Sequence, residues 1–442
     1  MQFNSIEFIF GFLPLFLAAY MIFQPGPRNA VLVLGSLIYY GLACGGKLWC
    51  VALLVGFTFM TWVMGLTLRR GTGFLLAIDL LFLAATLTFF KVYEGGRYLP
   101  AGMSFYLFQM AAYLIDVFRR KVRPEGNLIT YSAQTMMFPK LLSGPLVSPR
   151  QLAKEAKTSK PNRARFHDGL QTLILGLGLK VLLANRMGGL WSQASVMGYE
   201  SISVAAAWLT LAAYALQLYF DFYGYSLIAI GLGKMLGYEL PINFDHPYVS
   251  KSVSEFYRRW HVTLGAWFRD NLYIPLGGNR KGGFRTVLNL AVVWLFTGLW
   301  HGVGGNYLLW AGFLFLLIVN ERLWMRKLLD KSHVFCHIYV VFVILLSWVP
   351  FAIGDWNQMV IFLGRLFGQC GQTLNPRDII MLLQSYGTVL VPAFLLATPW
   401  PARLWEKVRH TTLADLCLLV LFWVVVYFMA TAAQDPFLYF QY

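Results

Sequence analysis

Long apolar runs alternate with short basic segments along the chain. The apolar runs are residues 6–23, 31–44, 49–68, 74–90, 170–183, 204–220, 287–300, 308–319, 334–351, 379–396 and 413–432. A helix needs about 20 apolar residues to cross the hydrocarbon core of a bilayer, and several of these runs approach or reach that length. The pattern therefore predicts an all-α integral membrane protein with about 10 to 13 membrane-spanning segments.

The composition agrees with this prediction. Of the 442 residues, 58% are hydrophobic and only 13% are charged, which would give a soluble protein large exposed apolar patches. The first apolar run lacks both a basic segment before it and a small-residue cleavage site, so we expect a retained helix rather than a signal peptide. Because membrane helices must pack on one another, we expect residues 1–442 to form one membrane domain. No internal repeat is evident, which disfavours the inverted-repeat plan of transporters.

The formal net charge of +16 is spread over several short loops. The main basic clusters are residues 69–70, 119–121, 150–165, 322–331 and 403–409. An excess of Lys and Arg in short loops marks the cytoplasmic side, so three spans before Arg69 and Arg70 place the N-terminus outside. Charge this diffuse suits lipid headgroups as contacts, and we expect no nucleic-acid partner.

The five cysteines form neither a zinc pattern nor a disulfide framework. Cys44 and Cys50 flank a turn on the side expected outside; a disulfide is one reading, and we favour two unpaired thiols. His333, Cys336 and His337 would share one helical face, but no fourth ligand lies nearby in the sequence. We therefore expect no metal site.

The central stretch 251–285, KSVSEFYRRWHVTLGAWFRDNLYIPLGGNRKGGFR, is basic and aromatic. Its periodicity predicts a helix over 253–268. One apolar stripe comprises Phe256, Trp260, Leu264, Trp267 and Phe268, and off this stripe lie Arg258, Arg259 and His261. Taken alone, this stretch is typical of a basic amphipathic helix that lies on an anionic membrane surface.

Two further features favour chemistry in this region. The segment IPLGGNRKGG is a glycine-rich turn with Arg280 and Lys281, where backbone N–H groups and cations can both approach an anion. It does not match the phosphate loop of nucleoside triphosphatases. The segment TGLWHGVGGNYLLW then places His301 at the end of an apolar run, where burial favours the neutral imidazole that can act as a base.

These parts together suit chemistry on a thioester with a phosphorylated carrier. His301 is the candidate base, and His261, Arg269 or Asn279 are alternative candidates for stabilising the oxyanion. The candidate donor-binding residues are Arg258, Arg259, Arg269, Asn279, Arg280 and Lys281. Asp221 ends an apolar run and is equally compatible with a channel wall or with a structural ion pair.

Longer motifs show a family resemblance. They are DFYGYSLIAIGLGKMLGYELPINFDHPYVSKSVSEFYRRWHVTLGAWFRDNLYIPLGGNRKG, NLAVVWLFTGLWHGVGGNYLLWAG, LPAGMSFYLFQMAAYLIDVFRRK, FPKLLSGPLVSPRQL and the terminal DPFLYFQY. The chain resembles the membrane-bound O-acyltransferases, most of all their bacterial alginate O-acetyltransferase branch. The resemblance implies a ring of tilted helices around a thin central region with re-entrant or amphipathic helices, and a catalytic core at about residues 204–325.

The resemblance also implies roles and partners. His301 in LWHG matches the catalytic histidine of the family, and His261 in RRWH matches the second histidine of the bacterial branch. The implied donor is acetyl-CoA, and the implied acceptor is a periplasmic partner of the SGNH-hydrolase type that acetylates polysaccharide hydroxyls. The implied location is the bacterial inner membrane.

Four alternatives remain open at this point. A peptidoglycan acyltransferase and a D-alanyl transferase for teichoic acid share the RRWH and WHG layout, although LYIPLGGNRKG favours the alginate type. A secondary transporter is suggested only by the number of spans, and transporters tend to have paired broken helices in related halves. A scaffold without catalysis predicts that changing His301 leaves acetylation intact.

Overall fold

The computed structural model describes residues 1–23, 25–68, 72–158, 160–369 and 376–431, which form helices joined by short connections. The helices of the first half are α1 Leu13–Ile22, α2 Pro25–Ala43, α3 Leu48–Thr67, α4 Gly73–Val92, α5 Met103–Phe118, α6 Leu128–Met136, α7 Phe138–Leu141, α8 Pro149–Thr158, α9 Arg163–Gly178, α10 Asn185–Met197 and α11 Val204–Met235. Within these ranges, the pairing of extended backbone is limited to a single bridge between Phe244 and Trp260.

The second half contains shorter helices first and long apolar helices afterwards. Its helices are α12 Val253–Arg259, α13 Val262–Phe268, α14 Gly282–His301, α15 Gly305–Asn320, α16 Arg326–Leu329, α17 His333–Ala352, α18 Trp356–Leu366, α19 Pro376–Leu396, α20 Pro399–Val408 and α21 Thr412–Thr431. Wider π-helical turns are Glu7–Phe12, Leu179–Ala184, Arg269–Tyr273 and Glu321–Met325, and 3₁₀ turns are Tyr93–Gly96, Tyr199–Ser201 and Pro247–Val249. Because π turns join α9 to α10 and α15 to α16, each pair forms one long helix.

Nine helices of the described ranges are long and apolar enough to cross a membrane. With the shorter apolar helices Glu7–Ile22 and Met103–Phe118 they make eleven. The apolar faces of a soluble helix are buried, yet only 11% of the residues in the apolar window of Gly73–Gly96 and 17% of those in Thr412–Thr431 are buried inside the protein. Lipid is the medium that covers such surfaces. The prediction of an all-α, multi-pass membrane protein is confirmed.

The long helix α11 lies at the centre of the bundle and packs along α9. Two glycine pairs bring these helices close: a Cβ at Gly176 would lie 2.6 Å from the carbonyl oxygen of Gly224, and one at Gly169 would lie 2.6 Å from that of Gly231. Small residues at such crossings allow backbones to approach within a membrane. A side chain larger than hydrogen at any of these positions would force the two helices apart.

Asp221 lies inside this helix pair. Its Oδ1 is 2.8 Å from Nζ of Lys180, and the two side chains are 2% and 1% exposed. The same ammonium donates a hydrogen bond of 2.7 Å to Oδ1 of Asn185. Asp221 therefore belongs to an internal ion pair, and it lines neither of the two cavities described below.

The cysteines and the histidine–cysteine cluster of the sequence have simple surroundings in the fold. Cys44 and Cys50 are free thiols, and Nε2 of His337 donates a hydrogen bond of 3.2 Å to the carbonyl of Val249. In the described part of the chain, no group of three or more His, Cys, Asp or Glu side chains is placed to hold a metal ion. The basic pair 69–70 and the terminal motif 435–442 lie outside the described residues.

The orientation stays a prediction, and α8 offers a test of it. Residues 150–165 contain six basic residues and one acidic residue, so we expect them in the cytoplasm. A cysteine at Thr158, the exposed end of α8, should then resist a membrane-impermeant thiol reagent applied to intact cells. A cysteine at Arg97, beyond the far end of α4, should react. The unsubstituted protein gives the background labelling of the native cysteines. Labelling at Thr158 but not at Arg97 would show the opposite orientation.

Candidate functional site

The predicted helix over 253–268 is interrupted at its histidine. Helix α12 ends at Arg259 and α13 begins at Val262, and between them His261 has φ 48°, in the left-handed region. The continuous helix was therefore a wrong prediction. A left-handed residue other than glycine costs about 1–3 kcal/mol and persists only where its surroundings enforce it.

The preceding segment enforces this break. The N–H of Asp245 donates to the carbonyl of Arg259 at 3.0 Å, and the N–H of Val262 donates to the carbonyl of Asn243 at 2.9 Å. These bonds replace helical bonds on both sides of His261. The side chain of Asn243 also accepts a hydrogen bond of 2.6 Å from Thr263. The motif PINFDHP thus shapes the backbone that presents the RRWH histidine.

His261 and His301 line one apolar cavity of about 250 Å³, here called the histidine pocket. Its walls are formed by Tyr257, Trp260, His261, Leu264, Gly265, Phe268, Arg269, Tyr273, Leu290, Val293, Trp294, Thr297, His301, Trp310, Trp348 and Phe351. Both imidazoles are buried, at 4% and 6% exposure. The structure therefore brings together two histidines that are 40 positions apart in the sequence.

Aromatic rings surround His301, the last residue of α14. Its ring centroid lies 4.5 Å from that of Trp300, 4.9 Å from Trp310 and 5.1 Å from Phe351. The ring of Trp300 also lies 6.2 Å from that of His261, so one indole contacts both histidines. Such packing fixes the imidazole in place and keeps water from it, which suits a general base that must meet its substrate in one geometry.

A second, polar cavity of about 870 Å³ adjoins the histidine pocket. Its lining consists of Lys251, Ser252, Ser254, Glu255, Tyr257, Arg258, Tyr273, Asn279, Leu290, Trp294, Ile318, Glu321, Arg322, Arg326, Leu329, Asp330 and His333. Tyr257, Tyr273, Leu290 and Trp294 line both cavities, so the two spaces meet there. From Leu290, where the cavities meet, to His301 the helix rises about 16 Å, so His301 lies at the end of the histidine pocket that is distant from the polar cavity.

The cations of the polar cavity are available for a ligand. Among the described residues, none of the ion pairs involves Arg258, Arg322 or Arg326. Two of the acidic groups are already engaged: Glu255 pairs with Arg259 at 2.9 Å, and Glu321 binds the start of α12. The cavity can therefore attract an anion although it contains charges of both signs.

Glu321 connects α15 to the histidine segment. Its carboxylate, 4% exposed, accepts hydrogen bonds from the N–H of Val253 at 2.5 Å and from the N–H and hydroxyl of Ser254 at 3.0 Å each. These N–H groups belong to the first turn of α12 and have no helical partner. The carboxylate thus fixes the start of the helix that leads to Arg258 and His261.

The structure separates the predicted donor-binding residues into groups. Arg258 and Asn279 line the polar cavity, and Arg269 lines the histidine pocket, where it pairs with Asp270 at 2.7 Å. Arg259 points elsewhere and pairs with Asp245 at 2.8 Å. Arg280 and Lys281 are exposed in the glycine turn and line neither cavity. Donor binding by these residues stays a prediction.

The glycine turn itself is well defined. Gly277, Gly278 and Gly282 have φ values of 113°, 53° and 84°, which favour glycine at these positions. Asn289 of α14 donates a hydrogen bond of 3.1 Å to the carbonyl of Gly278, and Arg322 donates one of 3.3 Å to Asn279. The turn is therefore attached both to α14 and to the end of α15, beside the polar cavity.

Sequence reasoning missed several residues of the site. Arg322 and Arg326 were interpreted only as a cytoplasmic basic cluster, and Trp310, Trp348 and Phe351 only as parts of apolar runs. Their signal in the sequence was weak, since neither a basic cluster nor an aromatic residue in a span indicates which cavity it faces. The seven-residue helix α12 and the π turn after α15 bring the cations together.

The sequence profile of the membrane-bound O-acyltransferase family matches residues 73–349, which include every lining residue of the two cavities except Phe351. This chain belongs to the membrane-bound O-acyltransferase family. The resemblance predicted from the motifs is confirmed, and the protein is a multi-pass membrane O-acyltransferase. The match favours the enzyme over the transporter and the scaffold.

Relatives of three kinds are similar to this acyltransferase. A probable alginate O-acetylase of Pseudomonas putida is 30% identical in an alignment that covers all of both chains. A peptidoglycan O-acetyltransferase of Helicobacter pylori is 30% identical over 70% of this chain and 68% of its own. A teichoic acid D-alanyltransferase of Streptococcus thermophilus is 27% identical over 51% of this chain and 57% of its own.

Proposed function

We propose that the protein moves an acetyl group from a cytoplasmic thioester donor, acetyl-CoA, across the membrane to a periplasmic acceptor. The observation that supports this most directly is the junction of a cation-lined cavity with an apolar pocket that ends at two histidines. A coenzyme A thioester has matching parts in the same order: phosphates, a long neutral arm and a reactive carbonyl. The inner membrane of a bacterium is the location that this direction of transfer requires.

The polar cavity would bind the phosphates of the donor. Arg258, Arg322 and Arg326 offer guanidinium groups that suit phosphate geometry, and Lys251 adds a further cation. The pantetheine arm would pass along Tyr257 and Trp294, which line both cavities where these meet. The thioester would then lie in the histidine pocket.

His301 would act as the general base. Its neutral imidazole accepts the proton of the acceptor hydroxyl while the hydroxyl oxygen attacks the thioester carbon. When the tetrahedral intermediate collapses, the carbon–sulfur bond breaks, and the departing thiolate takes the proton from His301. His261 and Arg269 share the pocket with His301, so they are better placed than Asn279 to stabilise the oxyanion.

The final acceptor is proposed as an exopolysaccharide such as alginate, reached through a periplasmic SGNH-hydrolase-like partner. The full-length match to a probable alginate O-acetylase favours this over peptidoglycan, for which the similar stretch is shorter. D-alanyl transfer to teichoic acid is the second alternative and has the shortest match. Purified protein in nanodiscs, supplied in turn with radiolabelled acetyl-CoA and a D-alanyl carrier-protein thioester, distinguishes these donors.

Variants of the polar cavity test the donor site. In Arg258→Ala/Arg322→Ala, the KM for acetyl-CoA should rise about tenfold or more, because each lost charge-assisted hydrogen bond is worth about 1.5–3 kcal/mol before solvent screening reduces it. The KM for the acceptor should change little. The assay varies acetyl-CoA at fixed acceptor.

The glycine turn gives a matched comparison. Arg280→Ala/Lys281→Ala removes the same number of cations from exposed positions outside both cavities, so we expect a smaller rise in the donor KM. An equal effect of both double variants would move the phosphate site toward the turn. An unchanged donor KM in both would reject this entry route for the donor.

A further inference from the structure

A lysine lies beside the catalytic end of α14 without lining either cavity. Lys91 belongs to the last turn of α4 and is half-buried. Its ammonium donates a hydrogen bond to the backbone carbonyl of Trp300. The same ammonium lies 5.7 Å from the centroid of the Trp300 ring. One side chain thus contacts both the backbone and the indole of the residue that precedes His301.

From these contacts we infer that Lys91 is a positioning residue for His301, an inference that rests on the acyltransferase function proposed above. The last four carbonyls of a helix have no helical partner, and the carbonyl of Trp300 is one of them. A cation at this end also complements the helix dipole. Lys91 therefore closes the C-terminal turn of α14 at the residue before the base.

The indole transmits this constraint to both imidazoles. The ring of Trp300 contacts that of His301 at 4.5 Å in a T-shaped arrangement, and it lies 6.2 Å from the ring of His261. On its other sides it meets Phe105 at 6.2 Å and Phe108 at 6.0 Å. A shift of Trp300 would therefore displace both histidines relative to the thioester.

Helix α14 ends at His301, so no further helical turn follows to hold this histidine in place. Gly302 ends α14 with an extended backbone, and its N–H donates to the carbonyl of Gly298 at 3.3 Å. Gly302 also fits closely against Tyr307, since a Cβ there would lie 2.5 Å from that ring. The helix thus stops directly after its catalytic residue, and a side chain from another helix secures the last turn.

The location of Lys91 also argues against a purely solvating role. Lysines near the ends of membrane helices usually extend toward water along their apolar stems. Here the ammonium instead bonds to a backbone carbonyl beside the active site. An intramembrane cation with such a contact is a functional candidate by default.

Lys91→Met tests the inference because methionine keeps an unbranched apolar stem that is one heavy atom shorter, but removes the charge and the donor. We expect kcat to fall by about 10²-fold, the effect of a misplacement near 1 Å at a reacting group. The donor KM should stay within about twofold, because the cation-lined cavity is elsewhere. Lys91→Arg, which keeps a cationic donor, should recover at least about tenfold of the lost kcat.

The matched control is Arg97→Met at the same end of α4. The guanidinium of Arg97 lies 6.0 Å from the centroid of the Tyr98 ring, and Arg97 lines neither cavity, so the kcat of this variant should match that of the unsubstituted protein. Melting temperatures in detergent should agree among all variants. Single-turnover acetyl transfer, normalised to folded protein, then reports on the chemical step.

Three results would overturn the inference: an unchanged kcat in Lys91→Met, an equal loss in Lys91→Arg, or a loss explained by a matching drop in melting temperature. A failure of the proposed function gives a different result: the unsubstituted protein and Arg97→Met would then also fail to use acetyl-CoA. If those two proteins use a different thioester, the same variants test Lys91 with that donor.

Discussion

His301→Ala should abolish acetyl transfer while the protein remains folded in the membrane. The imidazole is 6% exposed and lines the pocket where the thioester is proposed to lie. Loss of a general base lowers a rate by about 10²–10⁴-fold. Alanine favours the helix, so the end of α14 should persist, although a small cavity will remain beside Trp310 and Phe351.

A second substitution separates chemistry from packing. His301→Gln fills most of the same space and retains hydrogen-bonding groups, but it does not take up a proton near neutral pH. We expect it to be as inactive as His301→Ala in single-turnover transfer from acetyl-CoA. His410→Ala, which changes an exposed histidine that lines neither cavity, is the matched control and should be fully active. Normal transfer by either His301 variant would reject the catalytic assignment.

The largest expected effect on stability comes from Asp221→Asn. This change leaves the ammonium of Lys180 buried next to a neutral amide and beside the side chain of Asn185. Breaking one partner of a buried ion pair costs about 3–5 kcal/mol, because an uncompensated charge remains in a low-dielectric interior. The free energy of unfolding in mixed micelles of detergent and SDS measures this loss.

The double variant Lys180→Met/Asp221→Leu should recover most of the lost stability, since apolar residues of similar size can replace a buried ion pair. The surface pair Arg165–Glu239, at 3.1 Å and with side chains 41% and 68% exposed, supplies the control. Glu239→Gln should change stability by less than about 1 kcal/mol.

Acetyl transfer by the recovered double variant decides the role of Asp221. Full activity would assign the carboxylate to packing between α9, its π turn and α11, as the ion pair indicates. A stable but inactive double variant would contradict that role and would return Asp221 to the reaction path. If the double variant is as unstable as Asp221→Asn, the broken ion pair is not the main source of the lost stability.

The membrane helices could be predicted closely from sequence. The apolar run 49–68 corresponds to α3 Leu48–Thr67, and the run 334–351 corresponds to α17 His333–Ala352. This agreement has a physical reason: in lipid every backbone polar group must bond within its own helix, so length and apolarity almost suffice to define a span. The sequence shows Lys180 within an apolar run, but it does not show that Asp221, 41 positions later, is its partner.

The break at His261 could not be predicted in this way. The periodicity of 253–268 is compatible with a single helix, and the residues of that stretch include no proline or other strong helix breaker at the break. The interruption depends on backbone bonds to Asn243 and Asp245, which are more than ten positions earlier. Local propensity is a weak prior that such tertiary contacts override.

The sequence by itself determined the membrane character of the chain and indicated His301 as the candidate base. His301 stands in a specific motif, and apolar runs of this length have few stable alternatives to spanning helices. Only the tertiary structure decided which residues surround that base. In the structure, His261 lies in the same pocket, and Lys91 contacts Trp300. Arg322 lines the polar cavity, whereas Arg280 and Lys281 line neither cavity. Those neighbours come from separate helices, and a one-dimensional pattern shows the face of a helix but not the partner that packs against it.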